Sequence, residues 1–152
     1  MSYELIFERT TDLSPAQIWR AWTTPDILMQ WFCPAPWRVS QCEIDLKVGG
    51  GFRTMMQSPE GESFPNIGCY LEIVPNQRLV WTNALLPGFA LADKVSPCIT
   101  AIITLTPHGQ GTHYLARALH KNAEDQAAHE AMGFHEGWGL AFDQLVDVMR
   151  KR

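Results

Sequence analysis

From Ala123 to Arg152 the apolar residues recur at helical spacing, the one long helical pattern in the chain. At about 100° per residue, with Trp138 set at zero, Ala127, Ala131, Phe134, Phe142, Leu145 and Met149 fall within roughly 40° of it and form one stripe. The opposite face carries His129, Asp143 and Asp147. A helix of this kind must lie on something apolar. No other segment is helical enough to serve, so the expected partner is a sheet. The same stretch contains Gly133, Gly137 and Gly139, each costing up to about 1 kcal/mol relative to alanine in a helix interior. Those glycines either let the helix bend over its sheet or leave room for a guest.

Upstream, the pattern alternates. Tyr3, Leu5 and Phe7 against Glu4 and Glu8 predict a half-buried strand. Ser14-Pro15-Ala16-Gln17 reads as a reciprocal capping box with proline at the first helical position. Thr24-Pro25-Asp26 repeats the cap and the proline. Two short helices are therefore expected, over about 15–22 and 25–31, bringing Trp19, Trp22, Trp31 and Phe32 together before Pro34 and Pro36 end helical structure. Strands follow over 39–48, 52–57, 67–74, 78–84, 98–106 and 112–119. They are separated by Gly49-Gly50-Gly51, by the turn Ser58-Pro59-Glu60-Gly61, by Pro75-Asn76-Gln77, by an irregular stretch around Pro87, Gly88 and Pro97, and by Pro107 to Gly111. Hairpin spacing implies an antiparallel sheet. The fold class is α+β: about seven strands with one face covered by the closing helix, and two short helices after the first strand.

The chain has 152 residues, with 46% hydrophobic and 18% charged, which suits one globular domain. The net charge of −4, with Lys and Arg scattered except at the C-terminus, argues against nucleic acid as a partner. Cys33, Cys42, Cys69 and Cys98 are widely spaced, without a C-x-x-C pair or a signal peptide ahead of them, and read as free thiols in a cytoplasmic protein. No apolar run reaches the roughly 18 residues of a membrane span.

The chemistry-bearing residues give no enzyme motif. His129-Glu130 and His135-Glu136 both begin like H-E-x-x-H, but Gly133 and Gly139 stand at the closing positions. Asp125 and His129, one turn apart, are expected on the solvent face as an adventitious metal clip at most. His135 lies about 60° from the stripe centre, at the expected cavity boundary, and is the one candidate for proton transfer. The triple glycine precedes a strand and no lysine closes a phosphate loop. No cofactor or structural metal is expected. Arg53, Glu72, His113, Arg117 and His120 are strand residues that qualify as polar anchors only if they point inward. Six tryptophans are more than a core of this size requires, and each brings an N–H that needs a partner when buried.

Several of these segments resemble one family. They are Ser14-Pro15, Ile18-Trp19, Ala21-Trp22-Thr23, Pro25, Trp31 and Pro34; Gly49 to Arg53; Pro59-Glu60-Gly61; Gly68 to Ile73; Arg78-Leu79-Val80; Gly111-Thr112; and Gly137-Trp138. Together they are similar to the domain of the activator of Hsp90 ATPase homologues, within the START-like or Bet v 1-like helix-grip superfamily. The resemblance implies a curved antiparallel sheet gripping the C-terminal helix. It also implies a cavity between them, which in relatives holds lipids, sterols, polyketides or plant hormones. The eukaryotic activators add a separate chaperone-binding domain for which this chain has no room, so the co-chaperone role is not expected to carry over.

The leading expectation is a non-enzymatic binder of a small, mainly hydrophobic molecule in that cavity. Its expected lining is Trp22, Phe32, Trp37, Met55, Trp81, Tyr114, Arg117, Phe134, Trp138 and Phe142. A polyketide cyclase or hydratase-like enzyme using the same pocket, with His135 or an inward carboxylate as acid or base, is the alternative, and a chaperone-interacting module is the third reading. Leu140, on the outer face of the helix, keeps a protein partner or a homodimer in play beside the monomer.

Overall fold

The computed structural model describes residues 3–93, 95 and 97–152. In chain order the elements are β1 (Tyr3–Thr11), α1 (Pro15–Thr23), α2 (Pro25–Leu28), β2 (Arg38–Ile44), β3 (Gly51–Gln57), β4 (Ser63–Val74), β5 (Arg78–Thr82), β6 (Leu85–Leu86), β7 (Ala90–Leu91), β8 (Ile99–His108), β9 (Gly111–His120), α3 (Ala123–Ala131) and α4 (Phe134–Arg150). Seven strands form one sheet in the order β1-β9-β8-β5-β4-β3-β2, and every neighbouring pair is antiparallel. This is the expected α+β helix-grip architecture: the inner face of the sheet carries the core, and α1 and α4 lie across it. Among the described residues, no helix is long and apolar enough to cross a membrane.

Local chemistry explains most of the boundaries. The capping box forms as written: Ser14 Oγ accepts from Gln17 N at 3.2 Å, and Gln17 Oε1 accepts from Ser14 N at 2.8 Å. Period-two alternation sets the faces of β9, where Thr112, Tyr114, Ala116, Ala118 and His120 are buried. The 58–61 turn closes with Gly61 N donating to Ser58 O at 3.0 Å. All four cysteines are free.

Four expectations are corrected. The second helix spans only Pro25–Leu28, and Thr24 caps it through its backbone carbonyl, without a side-chain bond. The strand expected over 39–48 ends at Ile44, because Asp45 to Gly50 close a turn through Lys47 N to Asp45 O and Gly50 N to Lys47 O, each 2.8 Å. Leu46 and Val48, inside the expected strand, stand exposed. The irregular stretch holds a small hairpin, β6 and β7, whose Phe89 and Pro87 pack where Cβ atoms on Gly49 and Gly51 would sit.

The closing helix is two helices. Gly133 adopts φ 85° and ψ 45°, the left-handed conformation that glycine tolerates without a Cβ clash. The phase changes across that break. In α4, Phe134, Phe142, Leu145 and Met149 are buried and Asp143 and Asp147 exposed, as the stripe predicts. In α3, Ala127 and Ala131 are exposed, while Asp125 and His129 are buried at 7% and 8% exposure.

Candidate functional site

The inner face of the sheet holds a continuous run of aromatic rings. Helix α1 supplies Trp22, and the turn after α2 supplies Trp31 and Phe32. Inward positions of β3, β4 and β5 supply Phe52, Tyr70 and Trp81. Ring centroids are 4.9 Å apart for Trp22–Trp31, 5.7 Å for Trp22–Phe32 and 5.6 Å for Phe32–Phe52. Phe52 then stacks on Tyr70 at 5.5 Å and meets Trp81 edge-on at 5.2 Å. These are the offset and edge-to-face arrangements that aromatic quadrupoles favour. A second group, Phe7, Tyr114 and Phe142, lies where α4 crosses β1, with Tyr114–Phe142 at 4.5 Å.

The polar tips of these rings divide into two kinds. Trp31 Nε1 donates to Ala21 O at 3.0 Å, and Trp22 Nε1 donates to the Tyr114 hydroxyl at 3.1 Å. By contrast, the Tyr70 hydroxyl and Trp81 Nε1 are buried without a hydrogen-bond partner among the described residues. Arg78 Nε also lacks hydrogen-bond geometry, yet it lies directly against the Glu72 carboxylate and is not an orphan. Tyr70 and Trp81 are cross-strand partners. Burial holds the Tyr70 hydroxyl's pKa well above the usual phenol value, with the Cys42 thiol adding to the shift. Cys42 is itself pushed up to about 11, by burial first and then by Asp26 and Glu43. Both groups stay protonated at neutral pH, so Tyr70 remains a donor.

The wall that carries Phe32 is pinned from α4. Gln144 Nε2 donates to Trp31 O at 3.0 Å and to Cys33 O at 2.8 Å, and its Oε1 accepts from Ala35 N at 2.9 Å. One amide thus occupies three backbone groups of an irregular loop that has no ladder of its own. Cys33 beneath it has its thiol pKa pushed up to about 11 by burial.

At the far end of α3, two histidines meet. His120 Nδ1 lies 2.8 Å from Tyr3 O, and its Nε2 lies 2.9 Å from His129 Nδ1. A carbonyl only accepts, so His120 carries its proton on Nδ1 and receives a bond from His129 Nδ1–H. Burial, and then His120, pull the His129 pKa down to about 4. Asp125 Oδ2 accepts from Cys98 N at 3.1 Å and lies 3.6 Å from Lys121 Nζ. The expected metal clip of Asp125 and His129 on the solvent face is therefore corrected: both side chains serve to dock α3. Among the described residues, no three His, Cys, Asp or Glu side chains are grouped to hold a metal.

The expected lining residues scatter. Trp22, Phe32 and Trp81 join the ring run; Tyr114 and Phe142 form the second group; Phe134 and Trp138 pack on each other at 5.1 Å. Arg117 belongs to the outer face, where it bonds Glu4 Oε2 at 2.7 Å. The even inward positions of β9 leave an odd residue no other side. Alternation likewise sends Met55 away from buried Phe52 and Thr54. Trp37 is 40% exposed and leans on Phe64, also exposed, at 5.6 Å. His135 is exposed, 3.9 Å from Glu130, and not at a cavity boundary. Of the five polar strand residues, only His120 is buried on the inner face.

Phe52, Tyr70 and Gln144 were missed. The parity of β3 and β4 was a signal for the first two; nothing local marks Gln144. Open surface depressions among the described residues include one of about 730 Å³ beside Ser14, Arg78 and Leu105 and one of about 230 Å³ beside Glu43, Arg53 and Pro87. Neither lies between the sheet and α4.

Comparisons with known proteins agree with this architecture. None of the curated proteins compared with the chain matches it. A crystal structure from Nitrosomonas europaea is 42% identical and superposes with a TM-score of 0.93, covering 97% of this chain and 94% of that one. A Mycobacterium smegmatis protein, 20% identical, shares the fold at a TM-score of 0.80, covering 96% and 90%. The solution structure described as an AHSA1-like protein from Aeromonas hydrophila, 17% identical, does so at 0.73, covering 97% and 92%. The family model described as activator of Hsp90 ATPase homolog 1-like protein matches residues 12–150, and the chain belongs to that family.

Proposed function

We propose that this protein binds a small, mainly hydrophobic molecule against the inner face of the sheet, with Phe32, Phe52, Tyr70 and Trp81 as the walls of the site and no catalysis assigned to it. The observation that carries the reading is the continuous ring run. It starts at buried Trp31 and reaches the surface at Phe32 and Trp81, both only half-buried. A surface-connected aromatic run of this kind suits apolar recognition. The fold itself is one commonly used as a ligand-binding scaffold. Because the rings are in contact, the guest enters by turning side chains aside. Phe32 is the hinged wall, since its loop is held to α4 through Gln144 alone among the side-chain bonds described.

Native mass spectrometry with a panel of neutral hydrophobic fluorophores tests the reading. One-to-one uptake, with a blue-shifted probe and quenched tryptophan emission, is the expected result. A folded protein that takes up none of the panel overturns it.

A further inference from the structure

Among the described residues, two polar atoms buried in this run have no partner. Trp81 Nε1 is a donor only; the Tyr70 hydroxyl both donates and accepts. Both belong to rings packed on Phe52, and Tyr70 is 0% exposed. Buried polar groups are normally satisfied, and the chain meets that rule at Trp22, Trp31, Tyr114 and Thr112. Two exceptions on adjacent strands, inside the one apolar site, point to a group that arrives from outside.

The surroundings restrict what that group is. Among the described residues no Lys or Arg is buried as a whole, and Arg78, whose Nε is buried, is held by Glu72 and stands three positions from Trp81 on the other face of β5, so a carboxylate or phosphate seated here has no counter-charge and its desolvation stays uncompensated. A pure hydrocarbon leaves both atoms unpaired. An uncharged oxygen acceptor fits both conditions, since it receives the indole N–H and meets the phenol.

We infer that the guest of this site is an uncharged apolar molecule carrying an acceptor oxygen, a carbonyl or a hydroxyl, that hydrogen-bonds Trp81 Nε1 and the Tyr70 hydroxyl while its body lies among the rings. The inference rests on the binding function proposed above and names the chemistry of the guest.

The test compares acetylnaphthalene, ethylnaphthalene and naphthoate, all substituted at the same ring carbon, as competitors of bound N-phenylnaphthylamine. Wild-type protein and Tyr70→Phe are compared, with far-UV circular dichroism as the check on folding. The expected result is that the ratio of acetylnaphthalene to ethylnaphthalene affinity falls roughly fivefold in Tyr70→Phe, the size of one neutral hydrogen bond, and that naphthoate is the weakest of the three in wild type. Because the ketone's desolvation is common to both proteins, an unchanged ratio overturns the inference and leaves apolar binding standing. That is the outcome a trapped water produces when it stays on both atoms. Naphthoate binding best also overturns it. If none of the three competes and the fluorophore itself does not bind, the binding function fails and the inference with it. Should Tyr70→Phe fail to fold, the indole N–H resonance of Trp81 in labelled wild type decides. It shifts downfield with acetylnaphthalene and not with ethylnaphthalene if the bond forms; the same small shift with both overturns the inference.

Discussion

Tyr114 and Tyr70 are both sealed on the inner face of one sheet, and their hydroxyl groups meet opposite conditions. Tyr114 stands where β1, β9 and α1 converge under α4, and it accepts the indole N–H of Trp22 at 3.1 Å. Tyr70 lies three strands away, beside Trp81, and has no partner among the described residues. The groups around each tyrosine follow the same division. On the β1–β9 side the polar groups hold elements together: His120 with His129, Thr112 with Leu13 O at 2.7 Å, Trp22 with Tyr114. On the β3–β5 side the rings pack as closely, yet their polar tips are left open. A buried donor without a partner costs about 1–3 kcal/mol, so the second arrangement weakens the free protein. It gains a compensating role only if something binds.

The largest effect expected on the paired side is with pH. His129 is held neutral down to about pH 4 in the folded chain, against an ordinary value of 6.5. Between those values the unfolded chain takes up the proton and the folded chain does not, so stability is full above about pH 6.5 and is lost as pH falls toward 4. The gap corresponds to on the order of 3 kcal/mol. His120, held against the Tyr3 carbonyl, is in direct contact with His129, and Asp125 and Lys121 lie 3.6 Å from each other one turn away. Urea unfolding at a series of pH values should show this slope, and His129→Gln should flatten it. An unchanged slope places the acid sensitivity elsewhere.

Next comes the direct comparison of the tyrosines. Tyr114→Phe leaves Trp22 Nε1 buried and unpaired and is expected to cost about 1–3 kcal/mol. Tyr70→Phe removes a hydroxyl that bonds nothing and is expected to leave the free protein unchanged or up to about 1 kcal/mol more stable. Urea midpoints at constant m-value give both numbers. Equal losses at the two sites erase the contrast.

The smallest effect concerns the glycines of α4. A Cβ on Gly137 meets only Pro34 Cγ, at 3.9 Å, whereas one on Gly139 meets Arg9 Nη2 at 3.4 Å and Phe7 at 3.7 Å. Gly137→Ala should therefore gain about 0.5–1 kcal/mol of helix propensity, and Gly139→Ala should gain less. A loss at Gly137 shows that the lid needs that slack.

Much of the scaffold was legible because it depends on neighbours in sequence. The Ser14 capping box, the 58–61 turn and the α4 stripe each require only residues a few positions apart. Placement of the proposed site was less so, because it depends on which face of each strand turns inward and on contacts between distant segments. Tyr114 and Arg117 are an odd number of residues apart on one strand, as are Phe52 and Met55, so neither pair shares a face.

By itself the sequence determined the order of elements, the faces of the strands, the buried stripe of α4 and the family, all of which follow from spacing and local chemistry. Only the tertiary structure decided that Gly133 turns α3 so that its histidine faces inward, that Gln144 holds the Phe32 loop, and that Tyr70 and Trp81 are left without partners. Each of these depends on which distant groups arrive beside a side chain once the sheet has closed, and hydrogen-bond satisfaction is a property of that assembly.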